Sequence, residues 1–151
     1  LECWIMVEAY TDFWKRYIDF KSKSNRTEFW VPVLVHILVI FILSLIGAIT
    51  FVTGLLVIAI IIFSVIALFL LVNIVPMIAI TMRRFYDAGR KRMTALMLIL
   101  ITLIGDIIFD IIQIDSLAIL MNIITLISTI ILIVITLLPT KPTPEAQLKW
   151  I

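Results

Sequence analysis

The sequence is poor in the residues that crosslink a chain or interrupt a helix, with one cysteine and four glycines among 151 residues. Cys3 cannot form a disulfide within the chain, so we interpret it as an inert thiol. Charged residues make up 15% of the sequence and are absent from Phe29 to Thr81, whereas hydrophobic residues make up 64%. Since soluble globular proteins are about 45–50% apolar, this composition excludes an ordinary soluble domain and predicts a membrane protein.

The uncharged run is too long for one membrane crossing. As a helix it would extend about 80 Å, against a hydrocarbon core of about 30 Å. The run must fold back, and "GAITFVTG" (47–54) contains two helix-weakening glycines at which it can do so. Two further apolar segments are separated by Asp115 and Ser116, which are good N-cap residues. The pattern predicts an all-α membrane protein with four transmembrane helices, at about 29–51, 55–81, 94–113 and 117–138.

Residues 1–28 are predicted to contain an amphipathic helix before the first span. Apolar side chains recur there at helical spacing, and Asn25 with Glu28 resembles a capping box at the start of the next helix. We expect this helix to lie at the headgroup boundary of the inner surface. The alternative is that the apolar stripe of this helix packs on the protein's own cytoplasmic loop. The stripe consists of Tyr10, Phe13, Trp14, Tyr17 and Ile18.

The cations predict the orientation, because cytoplasmic loops carry an excess of Lys and Arg. Both termini, including the 139–151 tail, and the 82–93 loop are therefore expected in the cytoplasm. The 52–54 and 114–116 turns are expected outside, and the first span is expected to be an uncleaved anchor. The cations on the inner side are Lys15, Arg16, Lys21, Lys23, Arg26, Arg83, Arg84, Arg90, Lys91, Arg92, Lys141 and Lys149.

The segment "RRFYDAGRKR" (83–92) concentrates charge between apolar flanks. Cations three and four residues to either side of Asp87 favour an internal ion pair, and Gly89 allows a positive φ that ends the second span. We interpret the segment as a clamp in which the cations collectively contact anionic headgroups. A specific phosphate or lipid-headgroup site is the alternative. The candidate residues are Arg83, Arg84, Asp87, Arg90, Lys91 and Arg92.

Nothing in the sequence predicts catalysis. Asp87 is alone in its loop, and no metal-ligand cluster, phosphate-binding glycine loop or Ser-His-Asp order is present. We therefore expect no enzyme activity, no cofactor and no metal site. Nucleic acid is also not an expected partner, because a short loop against the membrane cannot follow a duplex.

Polar residues inside the predicted third span form a second candidate site. Asp106, Asp110 and Gln113 share one helical face in the outer half of the membrane. In one interpretation the acids are hydrated at the outer interface, and Asp106 bonds Asn122 or Thr125 of the fourth helix. In the other, the pair lines a watery path and binds a proton or cation.

Two further polar features interrupt the first two spans. His36 is expected to be a neutral packing residue rather than a proton relay. Pro76 lacks the amide that would bond the Val72 carbonyl, so a bend is expected there, with Asn73 helping to satisfy the freed backbone.

Four motifs in order carry a family resemblance: "FWKRYIDFKSKSNRTEFW" (13–30), "NIVPMIAITMRRFYDAGRKR" (73–92), "TLIG" (102–105) and "LLP" (137–139). Together they resemble the YhaH-type bacterial inner-membrane proteins, the domain of unknown function 805 family, over about residues 10–142. The chain departs from the family pattern where Ser22 and Lys23 replace "GR" and where Phe85 and Tyr86 replace "LH". Near the position of the pattern's "SGWW", the chain has Lys91, Arg92 and Met93.

The resemblance implies a small multi-pass protein of the cytoplasmic membrane with no established activity. We expect a scaffold or envelope-associated component that contacts anionic lipid, a membrane-protein partner or a second copy of itself. The alternative is a small transporter or ion-conducting oligomer that uses Asp106 and Asp110.

Overall fold

The computed structural model of the chain describes residues 2–111 and 115–141, with side chains except those of 2–3, 106–111 and 115–118. All regular structure in these residues is helical, which confirms the all-α class expected for this part of the chain. The helices are α1 (Glu2–Lys15), α2 (Arg26–Val52), α3 (Leu56–Asp87), α4 (Arg92–Ile111) and α5 (Asp115–Leu137).

Three helices are long and apolar enough to cross a membrane, namely α2, α3 and the Ile119–Leu137 part of α5. The Arg92–Gly105 part of α4 is apolar but shorter. The sequence predicts four crossings, and the expected third span coincides with α4, whose last side chains lie outside the description. The chain is a membrane protein with at least three helices of membrane-spanning length and composition.

Helix contacts divide the chain into two compact units. Unit 1 comprises Leu1–Ile18 and Thr27–Met77, and unit 2 comprises Asp19–Arg26 and Ile78–Ile151. Unit 1 therefore contains α1, nearly all of α2 and the first two thirds of α3. Unit 2 contains the end of α3, α4, α5 and the 19–26 loop.

The turn from α2 to α3 in unit 1 depends on Gly54, whose φ is 81°. The amides of Gly54 and Leu55 donate to the carbonyls of Phe51 and Thr50, at 3.2 and 2.9 Å. This is the Schellman pattern, which needs a left-handed residue after the helix and therefore favours glycine. Gly47, the other glycine of the expected bend, remains inside α2.

The aromatic stripe of α1 packs within unit 1. Phe13 is 1% exposed, and its ring centroid lies 5.1 Å from that of His36 in α2. Tyr10 and Trp14 approach the same imidazole at 5.8 and 6.2 Å, and Phe69 of α3 approaches it at 5.2 Å. The structure therefore corrects the expected headgroup contact for Phe13. Its ring packs edge-on against His36 of α2, and this packing shields it from lipid and water. The α1 rings therefore pack on His36 of α2 rather than on a cytoplasmic loop, and Phe69 of α3 contacts the same imidazole.

Helix α3 continues through Pro76, which leaves the Val72 carbonyl without its usual helical donor. The hydroxyl of Tyr17 donates to this carbonyl at 2.6 Å. The expectation that Asn73 compensates is wrong, since its amide donates to the Phe69 carbonyl at 2.8 Å, within its own helix. A residue just beyond α1 therefore satisfies the backbone group that the proline frees.

In unit 2, the end of α3 packs against both α4 and α5. Met82, Phe85 and Ala95 form its buried centre, with Phe20, Ile78, Leu98, Leu132 and Ile135 around them. Close approach of α4 and α5 requires Gly105, because an added Cβ would lie 2.7 Å from the Thr125 hydroxyl oxygen.

The end of α3 is a second Schellman turn, built on Gly89 with a φ of 75°. The Gly89 amide donates to the Tyr86 carbonyl at 3.1 Å, and the Arg90 amide donates to the Phe85 carbonyl at 2.9 Å. Gly89 thus has the positive φ that the sequence analysis assigned to it. The turn separates the buried arginines of α3 from the exposed cations that follow.

Candidate functional site in the basic segment

The structure divides the basic segment (residues 83–92) into buried and exposed cations. Arg83 and Arg84 are 1% and 0% exposed, and Arg92 is 8% exposed. Arg90 and Lys91 are exposed. The expectation that all five cations act together at the lipid surface therefore does not hold for the three buried arginines. Each of those has a partner within unit 2, and such pairing offsets part of the cost of burying a guanidinium.

Arg84 binds the C-terminal end of α5. Its Nε donates to the Thr136 carbonyl at 2.9 Å, and its Nη2 donates to the Leu138 carbonyl. Carbonyls in the last turn of a helix have no intrahelical donor, and the helix dipole places partial negative charge there. A buried cation at this position therefore satisfies both the hydrogen bonds and the charge.

Asp87 completes the same arrangement. Its carboxylate accepts hydrogen bonds from Arg84 Nη1 and from the Thr140 hydroxyl, the latter at 2.6 Å. Its backbone carbonyl accepts from the Lys141 amide at 2.9 Å. The ion pair predicted from the spacing is therefore made with Arg84, and it also fixes the chain that follows α5.

Arg83 and Arg92 hold the 19–26 loop. Arg83 Nη1 lies 3.9 Å from the Asp19 carboxylate, and Arg92 Nη2 donates to the Lys21 carbonyl. Asp19 also accepts from the amides of Lys21 and Ser22, at 3.0 and 3.2 Å, and this fixes the turn that begins the loop. The loop is thus attached at two points to the ends of α3 and α4.

Tyr86 provides a third attachment. The Arg92 guanidinium carbon lies 3.6 Å from the Tyr86 ring centroid, and Lys23 Nζ lies 5.4 Å from it. Both distances are within the range of cation–π attraction. Lys23 and Tyr86 are two of the positions at which this chain departs from the family pattern, and here they are neighbours.

Sequence reasoning did not single out five of the residues that contact the basic segment or Tyr86 within it: Asp19, Lys23, Arg26, Tyr86 and Thr140. Arg26 Nε donates to the Leu138 carbonyl at 3.1 Å, beside Arg84. The motifs around Arg26 and Leu138 are separated by more than one hundred residues, so no local pattern connects them. Their joint presence in the family resemblance is the available signal.

Most of the second candidate site, formed by Asp106, Asp110 and Gln113, lies outside the side chains that the structure describes. Asp106 and Asp110 lie on α4, but their side chains are not among those described, and Gln113 lies outside the described residues. The Thr125 hydroxyl, one expected partner of Asp106, donates to the Met121 carbonyl of its own helix at 2.7 Å. The ion-binding interpretation of this pair remains a prediction.

His36 has an apolar and aromatic environment. Both ring nitrogens are buried and have no hydrogen-bond partner among the described residues. Four aromatic rings surround the imidazole, as described above. This arrangement accords with the expected packing role, and proton relay would require a donor or acceptor that the described residues do not supply.

The described residues contain no group of three or more His, Cys, Asp or Glu side chains arranged to hold a metal ion. The basic segment can act in two ways. Its buried arginines join helix ends and the 19–26 loop, and its exposed cations, Arg90 and Lys91, can bind an anion. The carboxylate of Asp87 is engaged by two donors and lies in the interior of unit 2.

Comparison with known proteins gives one family. Residues 17–146 match the family described as "Protein of unknown function (DUF805)". Neither curated proteins nor solved structures give a match. The matched range includes the 19–26 loop, the basic segment, and the Thr140 and Lys141 contacts with Asp87. Because this range covers most of the sequence, the chain belongs to the DUF805 family.

Proposed function

We propose that this protein is a non-enzymatic, multi-pass scaffold of the bacterial cytoplasmic membrane that engages anionic lipid through the cytoplasmic face of unit 2. The observation that carries the proposal is the division of the cations in that unit. The buried arginines join helix ends, and a second set of cations remains at the surface. That exposed set comprises Lys21, Lys23, Arg26, Arg90, Lys91 and Lys141.

The exposed positive charge has little acidic compensation. Among the described side chains of unit 2, only Asp19 and Asp87 are acidic, and both accept hydrogen bonds from neighbouring groups. Cations next to an anionic leaflet each contribute about 1 kcal/mol to association. Several such residues on one face favour phosphatidylglycerol-type or other anionic lipids over zwitterionic lipids.

The length of α3 supports a position for the basic segment outside the hydrocarbon core. A helix of 32 residues extends about 48 Å, so about 18 Å must project beyond a hydrocarbon core of about 30 Å. Its N-terminal end follows the uncharged turn at Gly54, and its C-terminal end carries Arg83, Arg84 and Asp87. Projection of the charged end avoids the cost of charge at membrane depth.

Within unit 1, the same reasoning supports an inner-interface position for α1. His36 of α2 and Val72 of α3 are each about 24 Å along their helices from the turn at Gly54. This depth approaches the inner boundary of a core of about 30 Å. The aromatic residues of α1 contact helices at this level, where Trp and Tyr side chains are favoured.

The described polar contacts also favour a scaffold over an enzyme. Arg84 and Asp87 are directed at helix ends and at each other, leaving the carboxylate engaged by two donors. A general acid or base must reach a substrate proton, and a buried, doubly bonded carboxylate is poorly placed to do so. We expect the scaffold to bind a membrane-protein partner or a second copy of the chain.

The test is to purify the full chain in gentle detergent and to identify the retained lipids and proteins by mass spectrometry. We expect anionic lipids to be enriched over the source membrane, and we expect the enrichment to fall in an Arg90→Gln/Lys91→Gln variant. Arg90→Lys/Lys91→Arg, which keeps both charges at the same exposed positions, is the matched control. Retained lipids of the same composition as the membrane in all variants would contradict the proposal.

A further inference from the structure

Helix α1 has a second face, on the side opposite its contacts with α2. The rings that contact His36 belong to Tyr10, Phe13 and Trp14. Thr11 lies about 200° around the helix from Phe13, because successive residues of a helix are about 100° apart. An open groove runs along α1 at this position, and we call it the outer groove. It is lined by Trp4, Val7, Glu8, Thr11, Asp12 and Lys15.

The outer groove carries exposed apolar residues at the spacing by which one helix contacts another. Trp4, Val7 and Thr11 are separated by three and four residues and therefore share one face. Ile18, three residues beyond the end of α1, continues this spacing at seven residues from Thr11. Trp4 and Ile18 are 80% and 74% exposed. The groove thus has a large uncovered apolar side chain near each end.

The charges of the outer groove are complementary to one another. Glu8 and Lys15 are exposed, and within the described part of the chain neither side chain has an ion pair or a hydrogen bond. Asp12 differs from them, because its carboxylate is paired with Arg16 at 2.7 Å. One uncompensated negative charge therefore lies in the first half of the groove and one uncompensated positive charge lies at its end.

These features are arranged symmetrically along the helix. Glu8 and Lys15 are equally distant from the midpoint between Thr11 and Asp12, and Trp4 and Ile18 are equally distant from Thr11. A second α1 that runs antiparallel and is centred at the same point places its lysine against Glu8 and its isoleucine against Trp4. Such a contact is isologous, since both copies use the same surface. Parallel pairing would instead place like charges opposite each other.

The membrane favours the same arrangement. In a symmetric dimer, two copies inserted in the same direction are related by a two-fold axis parallel to the membrane normal. A half-turn about this axis reverses every direction in the membrane plane, so helices that lie along the surface pair antiparallel. The proposed position of α1 at the inner interface therefore agrees with the pairing that its charges require.

We infer that the outer groove of α1 is a dimerisation surface, which pairs antiparallel with the same groove of a second copy through Glu8–Lys15 ion pairs and Trp4–Ile18 contacts. This inference rests on the proposed interfacial position of α1 and names a second copy as a partner of the proposed scaffold. Pairing leaves the contacts of α1 with His36 unchanged, because it uses the opposite face. The match to the DUF805 family begins at residue 17, so α1 lies outside the matched range.

The experiment places a reporter cysteine at the centre of the surface, as Thr11→Cys on a Cys3→Ser background. Membranes that contain the full chain are treated with a short bismaleimide, and the crosslinked fraction is measured on denaturing gels. We expect a crosslinked dimer. Met6→Cys is the matched control and should crosslink little, since Met6 is 54% exposed but lies about 140° around the helix from Thr11.

Charge reversal tests the orientation of the pair. Glu8→Lys and Lys15→Glu, each alone, should lower the crosslinked fraction about fivefold, because both ion pairs of the dimer become repulsive. The combined variant Glu8→Lys/Lys15→Glu restores opposite charges and should crosslink as the parent does. Co-expression of the two single variants should also restore crosslinking, now between unlike copies. Recovery in these two cases shows that the single variants fold.

The outcomes separate this inference from the lipid-binding proposal. A crosslinked fraction at Thr11→Cys no greater than that at Met6→Cys would overturn the dimer. Single reversals that leave the fraction unchanged would also overturn it, because parallel pairing or a groove covered by lipid gives this result. Loss of crosslinking without recovery in the combined variant would show that these charges bind something other than a second copy. Intact crosslinking in a protein that retains no excess of anionic lipid would instead contradict only the proposed lipid binding.

Discussion

Arg84 connects three parts of unit 2 through one side chain: the end of α3, the end of α5 and the chain that follows α5. Its guanidinium is completely buried and donates to two carbonyls and one carboxylate. Removal of the cation would leave Asp87 as a buried charge to which, among the described side chains, Thr140 alone still donates. The position therefore tolerates neither loss of charge nor loss of the planar donor fork.

We predict that Arg84→Gln destabilises the folded protein severely, by about 3–5 kcal/mol, the cost of breaking a buried ion pair by removing one partner. Arg84→Lys should also destabilise it, because one ammonium cannot reach both carbonyls and the carboxylate. Thermal unfolding of purified protein, followed by size-exclusion chromatography of heated samples, measures the effect. Arg90→Gln is the matched control and should change the transition little, since Arg90 is exposed. Equal shifts in both variants would contradict the assignment.

This division among the arginines could not be predicted from the sequence. Spacing alone identified Asp87 as the centre of an ion pair, because cations three and four residues away share its helical face. It could not select Arg84 over its neighbours, since the deciding partners, Thr136 and Leu138, are 52 and 54 residues away. Tertiary contacts of this range are not encoded in local charge patterns.

The acid pair of α4 provides a second prediction at this scale. If Asp106 only hydrates the outer end of α4, Asp106→Asn removes a membrane cost, and expression and thermal stability should hold or rise. This is the outcome we expect, because no basic residue lies at that depth in the sequence. The measurement is proton or cation flux into liposomes that contain wild-type or variant protein. Wild-type flux above that of empty vesicles, lost in Asp106→Asn, would instead support the transporter hypothesis.

At the scale of the helices, the hydroxyl of Tyr17, just beyond α1, donates to the Val72 carbonyl of α3 that Pro76 leaves free. We predict that Tyr17→Phe lowers the free energy of unfolding by about 1 kcal/mol, the typical net value of one hydrogen bond. In a Pro76→Ala background, the alanine amide can bond the Val72 carbonyl within the helix. Tyr17→Phe should then cost little.

The two substitutions therefore form a double-mutant cycle with a coupling energy close to the whole effect of Tyr17→Phe. Thermal unfolding of the four proteins in one detergent gives the four values needed. If Tyr17→Phe costs the same with proline and with alanine at position 76, the hydroxyl stabilises the protein by some other contact.

Packing of α4 on α5 can be tested at Gly105. Gly105→Ala should destabilise the protein by about 1–3 kcal/mol, because the new Cβ would lie 2.7 Å from the Thr125 hydroxyl oxygen. Adding Thr125→Ala to Gly105→Ala removes that oxygen and so makes room for the new methyl group of Ala at position 105. Stability should then recover. Thr125→Val keeps an atom at the same position and should not rescue. Recovery with valine, or none with alanine, would show that the strain lies elsewhere.

At the scale of the whole molecule, hydropathy predicted the helices better than their packing. Apolar runs must be helical in lipid because every backbone polar group has to be satisfied internally, so α2, α3 and α5 follow from composition. The position of α1 depends instead on which surface offers its aromatic side chains the better contact. His36 of α2 decides this for Phe13, and this partner is not recognisable from the sequence of α1.

Orientation is the last property that the sequence predicts without tertiary information. The positive-inside rule places Thr53 and Ser116 outside and the loop after α3 inside, because all twelve Lys and Arg residues then lie on one side. Single cysteines at these positions on a Cys3→Ser background can be treated in intact cells with an impermeant thiol reagent. Arg90→Cys is the preferred inside probe, since it is exposed, whereas a cysteine at Gly89 would be strained by the positive φ of 75°. We expect labelling at positions 53 and 116 and none at position 90 until the cells are permeabilised. Labelling at 90 alone in intact cells would reverse the orientation and place the basic face of unit 2 outside, away from the lipids of the inner leaflet.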